Sequence, residues 1–414
     1  VSQGAGPAGR AEPGGPTEPG GPAETGGRPE TGGRPETGGS RILVVNAGSS
    51  SLKLRVLGPD DAVLGSADLP APRGATDAAA LAAGIRSLGV VDSVGHRIVH
   101  GGTAFSGPVR VDARVTSRIE ALTDLAPLHQ PKSLAALAAV SAVLPDVPAV
   151  ACFDTAFHAT IPAAASTYAL PPEWRKRWDL RRYGFHGLSH AYASRRAAAV
   201  IGRSQEGLRT VTCHLGAGAS LAAVRDGRSV DTTMGFTPLE GLVMATRSGT
   251  VDPGLVLWLA DHAGMPPAEL AATLEERSGI LGLAGTADMR EVLAWAAEGR
   301  ADAQLALDVY VHRLRGAIAA MTASLGGLDL LVFTGGVGER SPAVRALTAD
   351  GLGFLGVAVD AAANERGDED REVGAAGGPV RVVVVAARED MEIARQVRQV
   401  LAPVGTPEEG PSHA

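Results

Sequence analysis

Aromatic residues and cysteines are scarce in this chain. Trp, Tyr and Phe together make up 4% of its 414 residues, and only Cys152 and Cys213 carry a thiol. Two cysteines cannot build a disulfide scaffold, and they fit a reducing compartment. No basic stripe is present and the formal charge is −7, which speaks against a nucleic-acid surface. Long apolar runs are missing as well: Ile42 to Val45 and Val380 to Ala387 are strand-length, too short to span a bilayer. No cationic stretch followed by an apolar one opens the sequence, so no signal peptide is read. Hydrophobic residues nevertheless reach 45%, ample for a core in two or three domains. The expectation is a soluble cytoplasmic protein whose partners are small molecules, neither nucleic acid nor membrane.

Residues 1–40 are Gly, Pro, Glu and Thr with almost no apolar side chains, and Glu-Thr-Gly-Gly-Arg-Pro repeats from Glu24. Such a segment buries too little surface to offset its ordering entropy and is expected to be a disordered tail. Residues 403–414 read as a second, flexible tail. Between them, short β-branched runs alternate with Ala-rich helical stretches, the α/β pattern. Strands are expected over Ile42–Val45, Leu54–Leu57, Ser93–Val99, Val147–Phe153, Thr210–His214, Leu221–Val224, Leu330–Phe333 and Val380–Ala386. Helices are expected over Pro131–Val143, Ser189–Ile201, Pro253–Ala263, Asp302–Leu325 and Glu389–Leu401. Leu307, Tyr310, Val311, Leu314 and Ile318 form a helical stripe that reads as core packing. Arg41 to Leu52 runs strand, small-residue turn, strand, and Thr210 to Val224 repeats that plan about 170 residues later. Two such hairpins suggest a duplicated domain with two phosphate loops facing a cleft.

Several segments carry residues suited to chemistry. In Asn46-Ala-Gly-Ser-Ser-Ser-Leu-Lys53 a glycine permits close backbone approach, serines and amides donate to phosphate, and Lys53 adds charge. Asn46 ends a strand where it can reach a metal or its waters. In Gly95-His-Arg-Ile-Val-His-Gly-Gly102, alternation puts Arg97 and Val99 on one face and His96, Ile98 and His100 on the other. An arginine beside a small apolar group suits a ligand with a carboxylate and a methyl. The two histidines read as a satisfied core pair, since no third ligand is indicated. Asp154 closes a strand, Arg181 to Gly187 gathers cations, aromatics and glycine, and Arg247 sits in a small-residue loop. Thr334-Gly-Gly-Val-Gly-Glu339 is a strand-to-helix turn that admits a nucleotide, although without a Rossmann unit, and the Asn46–Lys53 loop lacks the Walker A spacing.

These segments, in this order from Arg41 to Ala402, resemble the acetate kinase family, within the acetate and sugar kinase, Hsp70 and actin superfamily. The resemblance implies two duplicated actin-like (ribonuclease H-like) α/β domains around a central cleft. The first would be 41–156 with 391–402, the second 157–390. It implies reversible phosphoryl transfer from ATP to acetate, giving acetyl phosphate and ADP, with Mg²⁺ (or Mn²⁺) in a homodimer. Asn46 and Glu389 would hold the metal. Asp154, His186, Arg247 and Arg97 would be catalytic, with Arg97, Val99, Leu128, Phe185 and Pro238 around the acyl group. Lys53, His214, Leu215, Gly216, Ala217, Gly218, Asp288, Met289, Arg290, Gly336, Val337, Gly338, Glu339 and Arg340 would serve the nucleotide. A short fatty acid is already ionised near neutral pH, because carboxyl groups titrate around 4. Asp154 is therefore expected to orient an arginine or a metal-bound water and not to act as a base. The cations and the metal offset the repulsion between two anions, the main task in phosphoryl transfer.

The sequence departs from the family pattern where phosphate is handled. Ala217 and Ala219 stand where the family has Asn and Ser, Arg340 replaces an Asn, Thr250 an Asp, and Ala387-Arg388-Glu389-Asp390 replaces Thr-Asn-Glu-Glu. Rival readings are a propionate or butyrate kinase, a pyrophosphate-dependent relative, and a non-catalytic acyl-phosphate- or nucleotide-binding regulator.

Overall fold

The computed structural model describes residues 40–48, 51–71, 77–126, 130–367 and 369–402. The expectations for Ser49, Ser50, Leu128, the C-terminal tail and all of the N-terminal tail except Ser40 lie outside the described residues.

Two six-stranded mixed sheets share one plan. In the first, β1 (Ile42–Ala47), β2 (Ser51–Leu57) and β3 (Val63–Pro70) form an antiparallel meander. On the other side of β1 lie β4 (Ser93–Ile98) and β6 (Ala149–Phe153), both parallel, with the two-residue β5 (Val109–Arg110) antiparallel at the edge. The second sheet repeats this order strand for strand: meander β7 (Arg209–Leu215), β8 (Ala219–Arg225) and β9 (Arg228–Thr232), then parallel β10 (Leu330–Thr334) and β12 (Arg381–Val384), then antiparallel β11 (Arg371–Glu372). The duplication anticipated from two hairpins therefore extends over whole sheets. The central strands are buried on both faces, as parallel strands covered by helices must be.

The helices that matter for the site are α1 (Gln130–Val143), α2 (Gly187–Val200), α3 (Pro253–His262), α4 (Ala301–Leu325), α5 (Gly335–Arg340) and α6 (Glu389–Leu401). Two of them are exchanged. The chain leaving β6 enters α2, whose Tyr192, Ala193, Ala197 and Ala198 pack on Leu330, Val332 and Val383 of the second sheet. The chain leaving β12 enters α6, whose Ile393, Ala394 and Val397 pack on Ile42, Val44, Val150 and Cys152 of the first. Gly95 has no room for a side chain because Ile393 and Val397 press against it.

Two expectations change. The segment after β10 is read from sequence as an open turn, yet Gly335 begins a helical turn at once. The buried Arg345 holds it, donating through Nη1 to the Gly338 and Glu339 carbonyls, both at 2.8 Å. His96 and His100 are indeed buried, but they are not fully satisfied: the Nε2 of each lacks a hydrogen-bond partner among the described residues. His100 instead packs edge-on against Tyr183 and Phe185. The stripe on α4 is core, as expected. Its Tyr310 also borders a cavity, with its hydroxyl buried and without a hydrogen-bond partner among the described residues.

Candidate active site

Parallel strands of a mixed sheet end together, so their C-terminal residues converge. Asn46 in β1, Arg97 in β4 and Asp154 just beyond β6 meet this way, and Glu389 at the first turn of α6 joins them. Arg97 donates through Nη2 to Asp154 Oδ2 at 2.6 Å and through Nε to both carboxylate oxygens at 3.1 and 3.2 Å. Its Nη1 reaches Asn46 Oδ1 at 3.2 Å. Asn46 Nδ2 in turn donates to Glu389 Oε2 at 3.0 Å, and Arg97 Nε stands 3.9 Å from the same oxygen. Burial pushes the Asp154 carboxyl up, against the pull of Arg97. The charge on Arg97 is thus largely spent inside the protein.

Arg247 is different. It is half-buried, donates from Nη1 to the Pro238 carbonyl at 2.6 Å, and forms no ion pair among the described residues. Burial lowers its affinity for its proton. Glu275 acts on it through space, and a desolvated cation with no carboxylate in contact among the described residues is poised for an anionic ligand. Arg247 Nη2 and His186 Nε2 close on Gly218 from two sides: a β-carbon there would stand 2.7 Å from the first and 3.2 Å from the second. Gly218 is therefore required by close approach, not by turn geometry.

His186 occupies the N-cap position of α2 with φ 56°, a left-handed conformation uncommon outside glycine. Gly187 makes this conformation tolerable, since a side chain there would collide with the Asp154 carbonyl that accepts the Gly187 N–H at 2.9 Å. The imidazole of His186 lies against that of His214, ring centres 4.4 Å apart. His186 and His190 are held well below their ordinary pKa by burial, and His96, His100 and His158 are each pushed down to about 4 by the same cause.

These neutral histidines predict an acid limit to stability. Unfolded imidazoles take up protons below about 6.5, whereas the buried ones refuse them. Their stabilisation is complete above that pH and is lost as the pH falls toward 4, each group contributing at most about 1.4 kcal/mol per pH unit. Thermal melts should be flat from pH 7 to 8 and drop steeply between 6.5 and 5. A melting temperature indifferent to pH in that window would show that the histidines are not buried neutral.

Two cavities take up most of the remaining residues. One, of about 210 Å³, is lined by Arg97, Val99, Asp154, Phe185, His186, Pro238 and Arg247, with Ala47, Gly48, Lys132, Ala217 and Gly218. The other, of about 540 Å³, is lined by Gly216, Ala217, Asp288, Met289, Arg290, Gly336, Val337 and Arg340, with apolar Ile280, Leu293 and Tyr310. Arg290 holds the Asp288 carboxyl down to about 2. Ala217 borders both cavities, so they meet at the β7–β8 turn.

Other expected nucleotide residues lie elsewhere. Leu215 and Gly338 are buried in the core, and Glu339 accepts the Ala387 N–H at 2.9 Å. Lys53 lies opposite Asn46 in the β1–β2 pair and lines a separate cavity with Asn46, Arg388, Glu389 and Asp390. Ala219 is fully buried, so the family's hydroxyl at this position would not face a ligand here. Lys132, in the first turn of α1, was not anticipated. The chain has three lysines, Lys53, Lys132 and Lys176, against many arginines, and that rarity was the one available signal.

A small cavity walled by Val99, Phe185 and Pro238 and edged by Arg97, Lys132 and Arg247 opens onto a glycine-lined cavity of about 540 Å³, an arrangement that suits a phosphotransferase acting on a small carboxylate. The family model described as Acetokinase family matches residues 75–395. An acetate kinase of Trichormus variabilis is 47% identical over 318 residues, covering 77% of this chain and 78% of that protein. One from Deinococcus deserti is 44% identical over 390 residues, covering 87% and 98%. Among solved structures, Porphyromonas gingivalis acetate kinase superposes with a TM-score of 0.81 at 35% identity, covering 87% of this chain and all of that one. A propionate kinase from Francisella tularensis gives 0.79 at 34%, covering 86% and 98%. The chain belongs to the acetokinase family, and it is an enzyme that moves a phosphoryl group between ATP and acetate.

Proposed function

We propose that this transfer is direct and in line, with acetate in the smaller cavity attacking the γ-phosphorus of ATP in the larger. The observation that carries the reading is the meeting of the two cavities at Ala217, where His186 and Arg247 flank Gly218. Val99, Phe185 and Pro238 take the methyl group, and Arg97 and Lys132 draw in the carboxylate. Arg247 and His186 donate to the equatorial oxygens as charge develops, the largest contribution available to such a reaction. Asp154 holds the guanidinium of Arg97 in register; acetate is already an anion and gives up no proton. Arg340, exposed and without an ion pair among the described residues, answers the phosphate chain where the asparagine amide is absent.

A hydrated Mg²⁺ fits beside Glu389. Its Oε1 takes no hydrogen bond among the described residues, while Asn46 Oδ1 is engaged by Arg97 and suits contact with the ion's waters better than direct ligation. When bound, the ion supplies charge neutralisation on the phosphates. The same reading includes a homodimer formed through α3, which has no buried residue although Leu255, Leu257 and Trp258 are each about half exposed or more. It also includes lobes at 41–156 with 391–402 and at 157–390, supported by the packing of α6 on the first sheet. A cytoplasmic location is supported by two buried cysteines without a disulfide. Among the described residues no helix is long and apolar enough to cross a membrane.

Trapping the acyl phosphate with hydroxylamine, with Mg²⁺ and either ATP or pyrophosphate across acetate, propionate and butyrate, tests the proposal. Turnover is expected with ATP and acetate; product formed from pyrophosphate alone would overturn the donor assignment. Light scattering at micromolar concentration should give twice the chain mass.

A further inference from the structure

Behind His186 runs a buried chain of short contacts. Its Nδ1 lies 2.9 Å from Ser220 Oγ, the same oxygen lies 2.8 Å from His190 Nε2, and His190 Nδ1 lies 2.8 Å from Thr212 Oγ1. Thr212, Ser220 and His190 are fully buried. We propose that Thr212, His190 and Ser220 form a hydroxyl–imidazole relay that locks His186 in the tautomer carrying its proton on Nε2, the nitrogen beside Gly218 and Arg247. This rests on the reading that His186 faces the transferring phosphoryl group.

Proton accounting leaves two arrangements. Ser220 has one hydroxyl proton for two imidazole neighbours, so it must donate to one and accept from the other. If both rings donated to it, its own proton would have no acceptor among the described residues; if neither did, one nitrogen would face an oxygen lone pair. In the first arrangement Thr212 donates to His190 Nδ1, His190 Nε2–H donates to Ser220, and Ser220 donates to His186 Nδ1. All three short contacts are then used, and His186 keeps Nε2–H as a free donor. In the second every direction reverses. The Thr212 proton is then left with the Ala222 carbonyl at 3.4 Å, and His186 turns a bare lone pair toward the phosphate site. A contact that long is marginal, and a lone pair facing an anion is repulsive, so the first arrangement stands. Burial keeps both rings neutral, which preserves the one-donor, one-acceptor character the relay needs.

The relay makes Ser220 and His190 positioning residues: neither reaches the reacting atoms, but both decide what His186 presents to them. Tautomer state is visible without turnover. In the full-length protein labelled with ¹⁵N-histidine, long-range proton–nitrogen correlation should show His186 protonated at Nε2, its signals identified by their loss in His186→Gln. Protonation at Nδ1 would overturn the proposal even if the enzyme is fully active, and so separates it from the reaction assignment. In Ser220→Ala the His186 signals should become those of a tautomer mixture. Its kcat should fall roughly tenfold to a hundredfold, the usual cost of losing a partner that orients an active-site group, with KM for ATP and acetate within about twofold. An unchanged kcat would overturn the proposal as well. Should Ser220→Ala fail to fold, the wild-type tautomer alone decides.

Discussion

Replacing Asp154 by Asn should lower kcat roughly a thousandfold, and by the same factor at every pH from 6 to 9. The exchange leaves shape intact but removes the negative charge that Arg97 contacts at 2.6 Å inside a site where Asp154 is 1% exposed. A buried cation deprived of its partner is costly, of the order of 3–5 kcal/mol, and the guanidinium will turn toward Glu389 or water to recover part of it. Acetate then loses its oriented donor and the melting temperature falls. A general base would behave differently, because hydroxide can replace it and the residual rate would climb with pH. Acetate carries no proton to remove, so no climb is expected. A pH–rate series on the variant settles the matter: a tenfold recovery per unit would restore Asp154 as a base.

Arg247→Leu should be as damaging to catalysis and harmless to the fold. Loss of a preorganised donor to the transition state costs about a hundredfold to a thousandfold in kcat. The hydrogen bond lost with the side chain is the one to the Pro238 carbonyl, and Glu275, which feels the Arg247 charge without an ion-pair contact, can take up a proton in compensation. Removing a desolvated cation that makes no contact ion pair among the described residues should leave the melting temperature nearly unchanged. The two arginines of one cavity are thus expected to part company: one holds the site together and one works on the ligand. Lys132→Met should act more mildly, raising KM for acetate about fivefold to twentyfold with little change in kcat, as expected when a charge contributes equally to ground and transition states. Parallel kinetics and melts of Arg97, Arg247 and Lys132 variants would expose the difference. A large loss of stability in Arg247→Leu would contradict the charge assignment.

Much of this fold is legible in the residues. β1 and β10 are dense in branched apolar side chains, and β1 and β7 each run into a glycine-containing turn, so the strands and their duplication can be found by eye. β3 escapes because Val63–Pro70 lies at an edge, half exposed, and mixes Gly, Ser, Asp and Pro with its apolar residues. The two-residue strands β5 and β11 leave no periodic signal at all. α5 is hidden by its own composition: three glycines argue against a helix, and the buried Arg345 that caps it is supplied by tertiary structure. In the site, residue types and motifs point to Arg97, Asp154, His186 and Arg247, but nothing local says that Arg97 is neutralised by a carboxylate 57 positions away. Lys132 and Ser220 stay invisible for the same reason, since each becomes meaningful only through what it faces across the fold.

The exchange of α2 and α6 reaches beyond packing, to how such a molecule can be divided. Each half of the repeat, cut after Val200 at the end of α2, would lack the helix that covers its own sheet and carry one suited to its sister. Neither fragment could bury the faces made by Ile42, Val44 and Val150 or by Leu330, Val332 and Val383, so the halves should be insoluble apart and soluble when produced together. A duplicated ancestor with each helix on its own sheet would have been two independent units tied by a linker. Trading helices made them a single obligate pair, with His186 and Glu389 at the two points of crossing.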